Sequence, residues 1–429
     1  MASNVIQLPP RPRQDTAESE PLAFYVRVGR NDHAELLELM ASGERGICGL
    51  VIEAQNLTRH RELMAETTRQ GFHLVLNPKT QPMALVGGHS PTLAALPWGL
   101  DRHHRPIDFE GDEGKSRAAQ IVEMAVDNKF GQILGPTHLL TGPNDTWLRH
   151  DIDMMVWTAE QIKASTAEID LIYPLGVALD VLRNRAERQA LVAALADAPC
   201  DAIWLKIENF GDDASGDKTT AYIDACRDFH ERGVPVVGDH VGGLPGLGAL
   251  AFGAVGGIAH GVTMLQNFSA SGWRRPRTPS QGGGPVRRVY LPSLDILLKP
   301  EVAQALLTSS QRVRARCGCR DTHCCPHGVS DMISRPARHA LYQRAREIEM
   351  LSGTPQSIRA AHYLDERVRR VSDDVASIAG LSSLTPELRD RFRKKQGGVA
   401  RFRQAMAHLA QLSTPETVAV VPARRRTGG

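Results

Sequence analysis

Residues 317–328, CGCRDTHCCPHG, contain four cysteines and two histidines, although the whole 429-residue chain has only seven cysteines. Thiolates and imidazoles are the ligands that structural zinc ions take in proteins. The N-terminal residues lack the apolar stretch of a secretory signal, so we expect a cytoplasmic protein with reduced thiols. In that compartment a cysteine cluster favours a metal over disulfides, and the segment predicts one bound zinc ion.

The spacing of the thiols leaves the choice of zinc ligands partly open. Cys317 and Cys319 would supply two thiolates, and one of the adjacent Cys324 and Cys325 would supply a third. Two neighbouring cysteines seldom both bind one ion, so we expect the other to be a spectator.

The fourth zinc ligand is expected to be an imidazole. Residues 334–371 predict two helices interrupted at SGTP, with His339 on the first helix and His362 near the start of the second. An ion bound by His362 would join the cysteine loop to the second helix and stabilise a subdomain with little core of its own. His323 and His327 lie closer to the cysteines in the sequence and are alternatives.

The elements that precede this cluster predict an α/β fold, a (β/α)8 TIM-type barrel. Eight near-continuous apolar segments alternate with helical patterns, as expected for parallel strands buried on both faces. They are residues 23–29, 46–54, 72–78, 132–140, 168–177, 201–210, 234–243 and 254–262. Eight strands over about 240 residues close a barrel. A doubly wound open sheet is the alternative, but no Gly-x-Gly-x-x-Gly turn follows the first segment.

Composition divides the chain into a barrel, a zinc-binding helical subdomain and flanking segments. With 42% hydrophobic and 23% charged residues, it is typical of a globular protein. We expect the following units: a disordered lead over 1–21, the barrel over 22–310, the zinc-binding subdomain over 311–371, helices over 372–415, and a disordered basic tail over 416–429.

Polar residues gather at the predicted carboxyl ends of the strands, where the active sites of such barrels lie. They are Arg27, Glu53, Asn77, Lys79, Thr137, His138, Lys206, Glu208, Asn209, Asp239, His240 and His260. Lys206 and Glu208 are two apart on one strand and therefore face the same side. Gly242 and Gly243 follow Asp239 and His240, and they would let a planar base or a phosphate approach the backbone. For each polar residue a structural salt bridge or loop contact is the alternative.

The charge distribution suggests a nucleic-acid partner without requiring one. The net charge is only +3, but basic residues cluster late, within 272–277, 286–288, 312–320, 389–395 and 423–426. These clusters are typical of solvated helix faces and a disordered tail, and a nucleic-acid surface with phosphate contacts is the alternative. No apolar run approaches the roughly 20 residues that span a bilayer, so we expect no membrane association.

The order of these features resembles the tRNA-guanine transglycosylase superfamily. A barrel is followed by Cys-x-Cys, a third cysteine, a helix, and a histidine at the start of a second helix. The resemblance implies Cys317, Cys319, Cys324 and His362 as zinc ligands. The first helix is also similar, in the pattern formed by Ser334, Arg335, His339, Leu341, Arg344, Ala345, Glu347 and Leu351. The intervals to the third cysteine and to the histidine are longer than in the family.

The resemblance implies an enzyme that exchanges guanine for a 7-deazaguanine base in tRNA or DNA. In the family an aspartate near the last strands attacks the sugar C1′, but the corresponding stretch here, residues 256–268, has none. The nearest acid is Asp239, with Glu208 the next candidate. The candidate substrate-binding residues come from the predicted strand ends and the loop after them: His240, Lys206, Gly242, Gly243 and His260.

Two other functions remain open at this point. One is a non-catalytic, zinc-containing nucleic-acid-binding relative, which would act as a homodimer or with a catalytic partner subunit. The other is an unrelated barrel enzyme that acts on a small molecule through His138, Lys206, Asp239, His240 or His260. Of these functions, only the transglycosylase allows a covalent nucleic-acid adduct.

Overall fold

Eight parallel strands close into a barrel in the computed structural model, which describes residues 21–43, 46–276, 287–412 and 419–423. They are β1 (Ala23–Arg27), β2 (Gly49–Glu53), β3 (His73–Asn77), β4 (Gln132–Leu134), β5 (Asp170–Ala178), β6 (Ala202–Glu208), β7 (Val236–Asp239) and β8 (Gly257–Gly261). β1 pairs in parallel with both β2 and β8, which closes the sheet. The predicted (β/α)8 barrel is confirmed.

Alternation along the strands decides which side chains reach the mouth of the barrel. Inward-facing apolar residues form a separate interior cluster: Ala23, Tyr25, Cys48, Val51, Val75, Leu134, Ile172, Ala202, Trp204, Val237 and Ala259. Because strand side chains alternate with period two, the same inward rows continue to Arg27, Glu53, Lys206 and Asp239. The barrel interior is therefore apolar along most of its length and charged at the end where the strands have their carboxyl termini.

Helices follow the strands and cover the outside of the barrel. Those of the barrel are α1 (His33–Ala41), α2 (Arg61–Arg69), α3 (Thr80–Met83), α4 (Pro91–Ala94), α5 (Gly111–Asp127), α6 (Thr146–Ser165), α7 (Leu179–Arg183), α8 (Arg185–Ala194), α9 (Gly216–Phe229) and α10 (Gly243–Ala251). A short antiparallel ribbon of Phe210–Gly211 and Asn267–Phe268 crosses the mouth side.

The C-terminal part of the described chain is helical and packs on the barrel. It contains α11 (Pro300–Thr308), α12 (Gln311–Cys317), α13 (Val329–Ser334), α14 (Pro336–Ser352), α15 (Gln356–His362), α16 (Arg369–Ala379) and α17 (Pro386–Leu412). A π-helical segment, Tyr363–Val368, joins α15 to α16. One apolar cluster includes Phe229 of the barrel layer together with Tyr363, Val375, Phe392 and Met406. The C-terminal helices thus share their core with the barrel.

The predicted flanking segments fall mostly outside the described residues. Of the lead over 1–21 only Pro21 is described, and of the tail over 416–429 only residues 419–423. Within that stretch Ala419 and Pro422 are buried, and the Val420 carbonyl lies against Gly256. Residues 419–423 therefore pack on the barrel, and the disorder predicted for the rest of the tail stays a prediction. Among the described helices, none combines the length and apolar character that crossing a membrane requires.

Candidate active site and metal centre

Three carboxylates at the carboxyl ends of the strands each bind a cation. The pairs are Asp239 with Arg27, Glu53 with Lys79, and Glu208 with Arg274. The pKa of Glu208 is lowered, chiefly because its carboxylate accepts hydrogen bonds from Arg274. Burial alone would raise the pKa of Glu53, but the Lys79 ammonium outweighs burial and lowers it. These carboxylates are therefore ionised at neutral pH.

Asp239 and Arg27 form a buried bidentate ion pair across the β7 and β1 ends. Arg27 Nε donates to Asp239 Oδ1 at 2.5 Å, and its Nη2 donates to Oδ2 at 2.6 Å. Asp239 is fully buried, which would raise its pKa, but the Arg27 charge lowers it below the ordinary value. Both carboxylate oxygens are thus occupied, and an attack by Asp239 on a substrate would require Arg27 to move away. The catalytic role of Asp239 stays a prediction.

Lys206 lies beside this pair on the interior side of β6. Its Nζ donates to Gln81 Oε1 at 2.8 Å and lies 3.6 Å from Asp239 Oδ2. The Phe268 and Trp273 ring centres are 5.6 and 6.0 Å from Nζ. Burial lowers the pKa of Lys206 to about 7. Burial therefore favours the uncharged amine more than at an exposed lysine.

The remaining predicted substrate-binding residues are enclosed. His240 is buried at φ 60°, and burial lowers the pKa of its imidazole well below the ordinary value. A Cβ atom on Gly242 would meet the Gln266 side chain at 2.4 Å, and one on Gly243 would meet Asp212 at 3.0 Å. Both glycines therefore serve close packing here. Their role in substrate binding stays a prediction.

His260 faces away from the barrel interior. Its ring packs 4.9 Å from Phe24, a member of the cluster between strands and helices, and Nδ1 contacts the Gly261 carbonyl at 2.7 Å. Burial lowers the pKa of His260 to about 3. The structure does not bring His260 together with Asp239 and Lys206.

A cleft opens above the ends of β1, β2 and β3. Its first part has a volume of about 830 Å³ and is lined by Glu53, Lys79 and Trp273, among others. A second part of about 500 Å³ is lined by residues that include Arg27 and Arg287. Arg30 and Arg59 line both parts and are exposed, and neither forms an ion pair within the part of the chain that is described. The cleft therefore offers two uncompensated guanidinium groups and one indole.

His138 belongs to a buried cluster next to the mouth. Its backbone NH and Nδ1 both contact the Asp151 carboxyl at 2.8 Å, and its ring stacks on Trp147 at 3.6 Å. Burial lowers the pKa of His138 to about 3 and raises that of Asp151. The hydrogen-bonded pair of His138 and Asp151 anchors α6 to the end of β4.

Several of the late basic residues are engaged within the chain. Their partners are Glu208 for Arg274, Glu35 for Arg287, Asp374 for Arg316, Asp390 for Lys394 and Asp295 for Lys395. These groups offer less free charge to a polyanion than the sequence suggests. Part of the basic tail and of residues 272–288 lies outside the described residues.

Three cysteines and one histidine converge near the start of α14. The ligand atoms of Cys319, Cys324, Cys325 and His339 all lie within 4.8 Å of one another. His339 Nδ1 is 3.3 Å from Cys324 Sγ and 3.5 Å from Cys325 Sγ, while its Nε2 contacts the Tyr290 carbonyl at 2.9 Å. The Nε2 proton donated to Tyr290 leaves the Nδ1 lone pair free, as a metal-binding imidazole requires. The cluster could hold a metal ion.

The observed cluster corrects the predicted ligand set at two positions. Cys319 and Cys324 belong to it, whereas Cys325 and His339 replace Cys317 and His362. The backbone NH groups of Cys324 and Cys325 bond to Asp321 in a tight turn, which aims both thiols at one point. Cys317 is buried at the end of α12, and His362 lines a separate cavity between α14 and α16.

Four contributors to the mouth were missed from the sequence. Gln81, Phe268, Trp273 and Arg274 contact Lys206 or Glu208 from the β3 loop and from the region after β8. Loop positions carry no periodic pattern, so nothing in the sequence indicates these contacts.

Comparisons with known proteins found low similarity. No protein-family profile matches this chain, and no curated protein matches it. Among solved structures, the carboxyl transferase domain of Rhizobium etli pyruvate carboxylase is similar at 11% identity and a TM-score of 0.39, over 93% of this chain and 63% of that one. This chain thus spans less than two thirds of that domain's length.

Two glycoside-cleaving proteins show similar values. A xylanase from Bispora sp. MEY-1 has 11% identity and a TM-score of 0.39, over 56% of this chain and 83% of that one. A chitinase from Chromobacterium violaceum has 13% identity and a TM-score of 0.32, over 51% and 68%. These values are too low to transfer any activity to this chain.

Proposed function

We propose that the protein is a tRNA-guanine transglycosylase-like enzyme that exchanges a base at a sugar C1′ of tRNA or DNA. The observation that carries the proposal is the cleft at the barrel mouth, whose lining includes Glu53, Trp273, Arg30 and Arg59. Guanidinium groups bind phosphates, and an indole stacks on a nucleobase. A base-exchange reaction needs all three kinds of group at one place.

Glu53 is the carboxylate that lines the 830 Å³ part of this cleft, and we assign to it the contact with C1′. Its side chain is ionised and 23% exposed, whereas Asp239 is fully buried behind Arg27. Lys79 and Gln55 bind the two oxygens of Glu53, so the contact with C1′ requires one of these side chains to move away. A carboxylate near C1′ stabilises the positive charge that develops as the base leaves, or attacks the carbon directly. Asp239 then acts as a positioning residue that holds Arg27 and Lys206.

The metal at the cysteine cluster is proposed to be zinc in a structural role. Three thiols and one imidazole form a complete tetrahedral set, so no open position is left for substrate. Bonds of about 2.3 Å at tetrahedral angles place sulfur atoms about 3.8 Å apart, close to the 3.6 Å between Cys324 Sγ and Cys325 Sγ. The zinc would join the 317–328 loop to α14 and the strand Val289–Leu291.

One zinc ion per chain is the expected result of elemental analysis. Because a closed tetrahedral site needs all four ligands, Cys325→Ser and His339→Ala should each lower the zinc content severalfold. The matched controls Cys317→Ser and His362→Ala should retain it. A protein that loses zinc in the two controls and keeps it in the first two variants would contradict this ligand set.

Exchange of labelled guanine into tRNA or duplex DNA tests the function. We expect incorporation by the wild type and at least a hundredfold loss in Glu53→Gln, since the amide cannot stabilise developing positive charge. Arg30→Gln/Arg59→Gln should weaken binding at least tenfold and reduce its dependence on salt.

Arg149→Gln is the control for the arginine variant, because Arg149 is exposed on α6 and lines neither part of the cleft. Absence of incorporation together with salt-insensitive binding would overturn the proposal. Salt-sensitive binding without incorporation in any partner mixture would favour the non-catalytic relative, a homodimer or the partner of a catalytic subunit.

A phosphorylated small molecule is the second candidate substrate. The 830 Å³ part of the cleft lies within the usual range for small-ligand sites, and the same arginines would bind its phosphate. Exchange activity on nucleic acid would exclude this candidate as the main function.

A further inference from the structure

Lys206 is a buried amine that the proposed base exchange does not use. It projects from β6 toward the mouth, two residues before Glu208. Its Nζ lies 2.8 Å from a neutral amide oxygen, Gln81 Oε1, 3.6 Å from Asp239 Oδ2, and 5.6 and 6.0 Å from the centres of two aromatic rings. A lysine held only for its charge would be expected to contact a carboxylate most closely.

The charges around Lys206 favour its neutral form. Asp239 is the nearest acid, at 3.6 Å, but Arg27 already balances that carboxylate through two hydrogen bonds. An ammonium at Lys206 would therefore add a second positive charge to a buried pair. Burial disfavours an uncompensated charge and lowers the pKa of this amine to about 7.

The amine lies directly behind the wall of the cleft. Trp273 lines the cleft, and its ring centre is 6.0 Å from Lys206 Nζ. Gln81, which accepts the hydrogen bond from Nζ, is followed by Pro82, another residue of the cleft wall. Lys206 itself lines neither part of the cleft and its side chain is only 8% exposed, so a sugar bound by Arg30 and Arg59 reaches the amine once the Trp273 side chain moves aside.

We propose that Lys206 forms an imine with the aldehyde carbon, C1, of a phosphate-bearing sugar. The amine nitrogen adds to the carbonyl carbon and gives a carbinolamine. The carbinolamine then loses its hydroxyl, the former carbonyl oxygen, as water, and two protons from nitrogen end on that water. No electrons are transferred, and no further reactant is needed.

This substrate class rests on the proposed function, in which the reacting carbon is C1′ of a sugar. The same aldehyde occurs in two sources: an abasic nucleotide within DNA and a free aldose phosphate such as ribose 5-phosphate. Both contain a phosphate that Arg30 and Arg59 could bind. Because neither has a base attached to C1, the sugar ring of each can open to the aldehyde.

Borohydride trapping tests the proposal on the full-length protein. The protein is incubated with ribose 5-phosphate or, separately, with a duplex containing one abasic site, and sodium borohydride then reduces any imine to a stable secondary amine. We expect one adduct per chain, mapped to Lys206 by mass spectrometry. Lys206→Met and Lys206→Arg should reduce trapping at least fiftyfold, since neither forms an imine.

Lys163→Met is the matched control, because Lys163 is an exposed lysine near the end of α6. It should trap as the wild type does, and circular dichroism should show that all variants are folded. Adducts spread over exposed lysines and unchanged in folded Lys206→Met or Lys206→Arg would overturn the proposal.

The two substrates and the exchange assay separate this proposal from the proposed function. Trapping with the abasic duplex alone assigns the sugar to nucleic acid, and trapping with ribose 5-phosphate alone assigns it to a small molecule. Trapping at Lys206 without guanine incorporation would support the imine and contradict the proposed base exchange. Guanine incorporation without any trapping would contradict the imine and leave the proposed base exchange supported.

Discussion

Asp239→Asn is expected to lower the free energy of unfolding by about 3–5 kcal/mol, the usual effect of removing one partner of a buried ion pair. The substitution leaves the Arg27 guanidinium buried without a compensating charge, since both Asp239 oxygens bind it in the wild type. Urea unfolding at neutral pH measures the difference. The change is nearly isosteric, so lost packing cannot account for it.

The control for Asp239→Asn is Asp390→Asn, which removes an exposed partner of Lys394 on α17 and should leave stability unchanged. The folded-state pKa of Asp239 is below its ordinary value, so its contribution is present above about pH 4 and is lost as pH falls through the folded pKa. An Asp239→Asn protein as stable as the wild type at neutral pH would contradict the ion pair.

Lys206→Met is expected to stabilise the protein below pH 7 by about 5 kcal/mol. In the folded state burial lowers the pKa of Lys206 from 10.5 to about 7, and each unit corresponds to about 1.4 kcal/mol. Between these values the unfolded chain binds a proton that the folded protein does not. Stability contributed by this group therefore rises with pH from about 7 to about 10.5.

Urea unfolding of wild type and Lys206→Met across this pH range measures the effect. The wild-type free energy of unfolding should rise toward alkaline pH relative to the variant, and the two should converge near the ordinary lysine pKa. The free energy of unfolding of Lys163→Met should vary with pH as that of the wild type does. A constant difference between wild type and Lys206→Met at all pH values would show that the amine titrates normally.

The strands and the facing of their side chains were predictable because both are local properties. Continuous apolar segments indicated all eight strands, and period-two alternation placed Lys206 and Glu208 on the same side of β6. A cluster of thiols within nine residues likewise indicated a metal site without any knowledge of the fold.

Partners distant in the sequence were decided only by closure of the barrel. Arg27 and Asp239 are 212 residues apart, and Gln81 and Lys206 are 125 apart. β1 comes near β7 only because β8 pairs with both of them. The sequence indicated that polar residues gather at the mouth, but the tertiary structure decided that Asp239 is enclosed and Glu53 borders the cleft.

For the metal ligands, too, the sequence determined the chemistry and the tertiary structure decided which residues come together. The sequence by itself determined that three thiols and a helical imidazole could bind one ion, since residue types and short spacings specify that chemistry. Both His339 and His362 lie on helices, and no periodicity distinguishes them. Packing of α14 beside the strand Val289–Leu291 decided which histidine joins the cysteines, because the Tyr290 carbonyl orients His339 toward them.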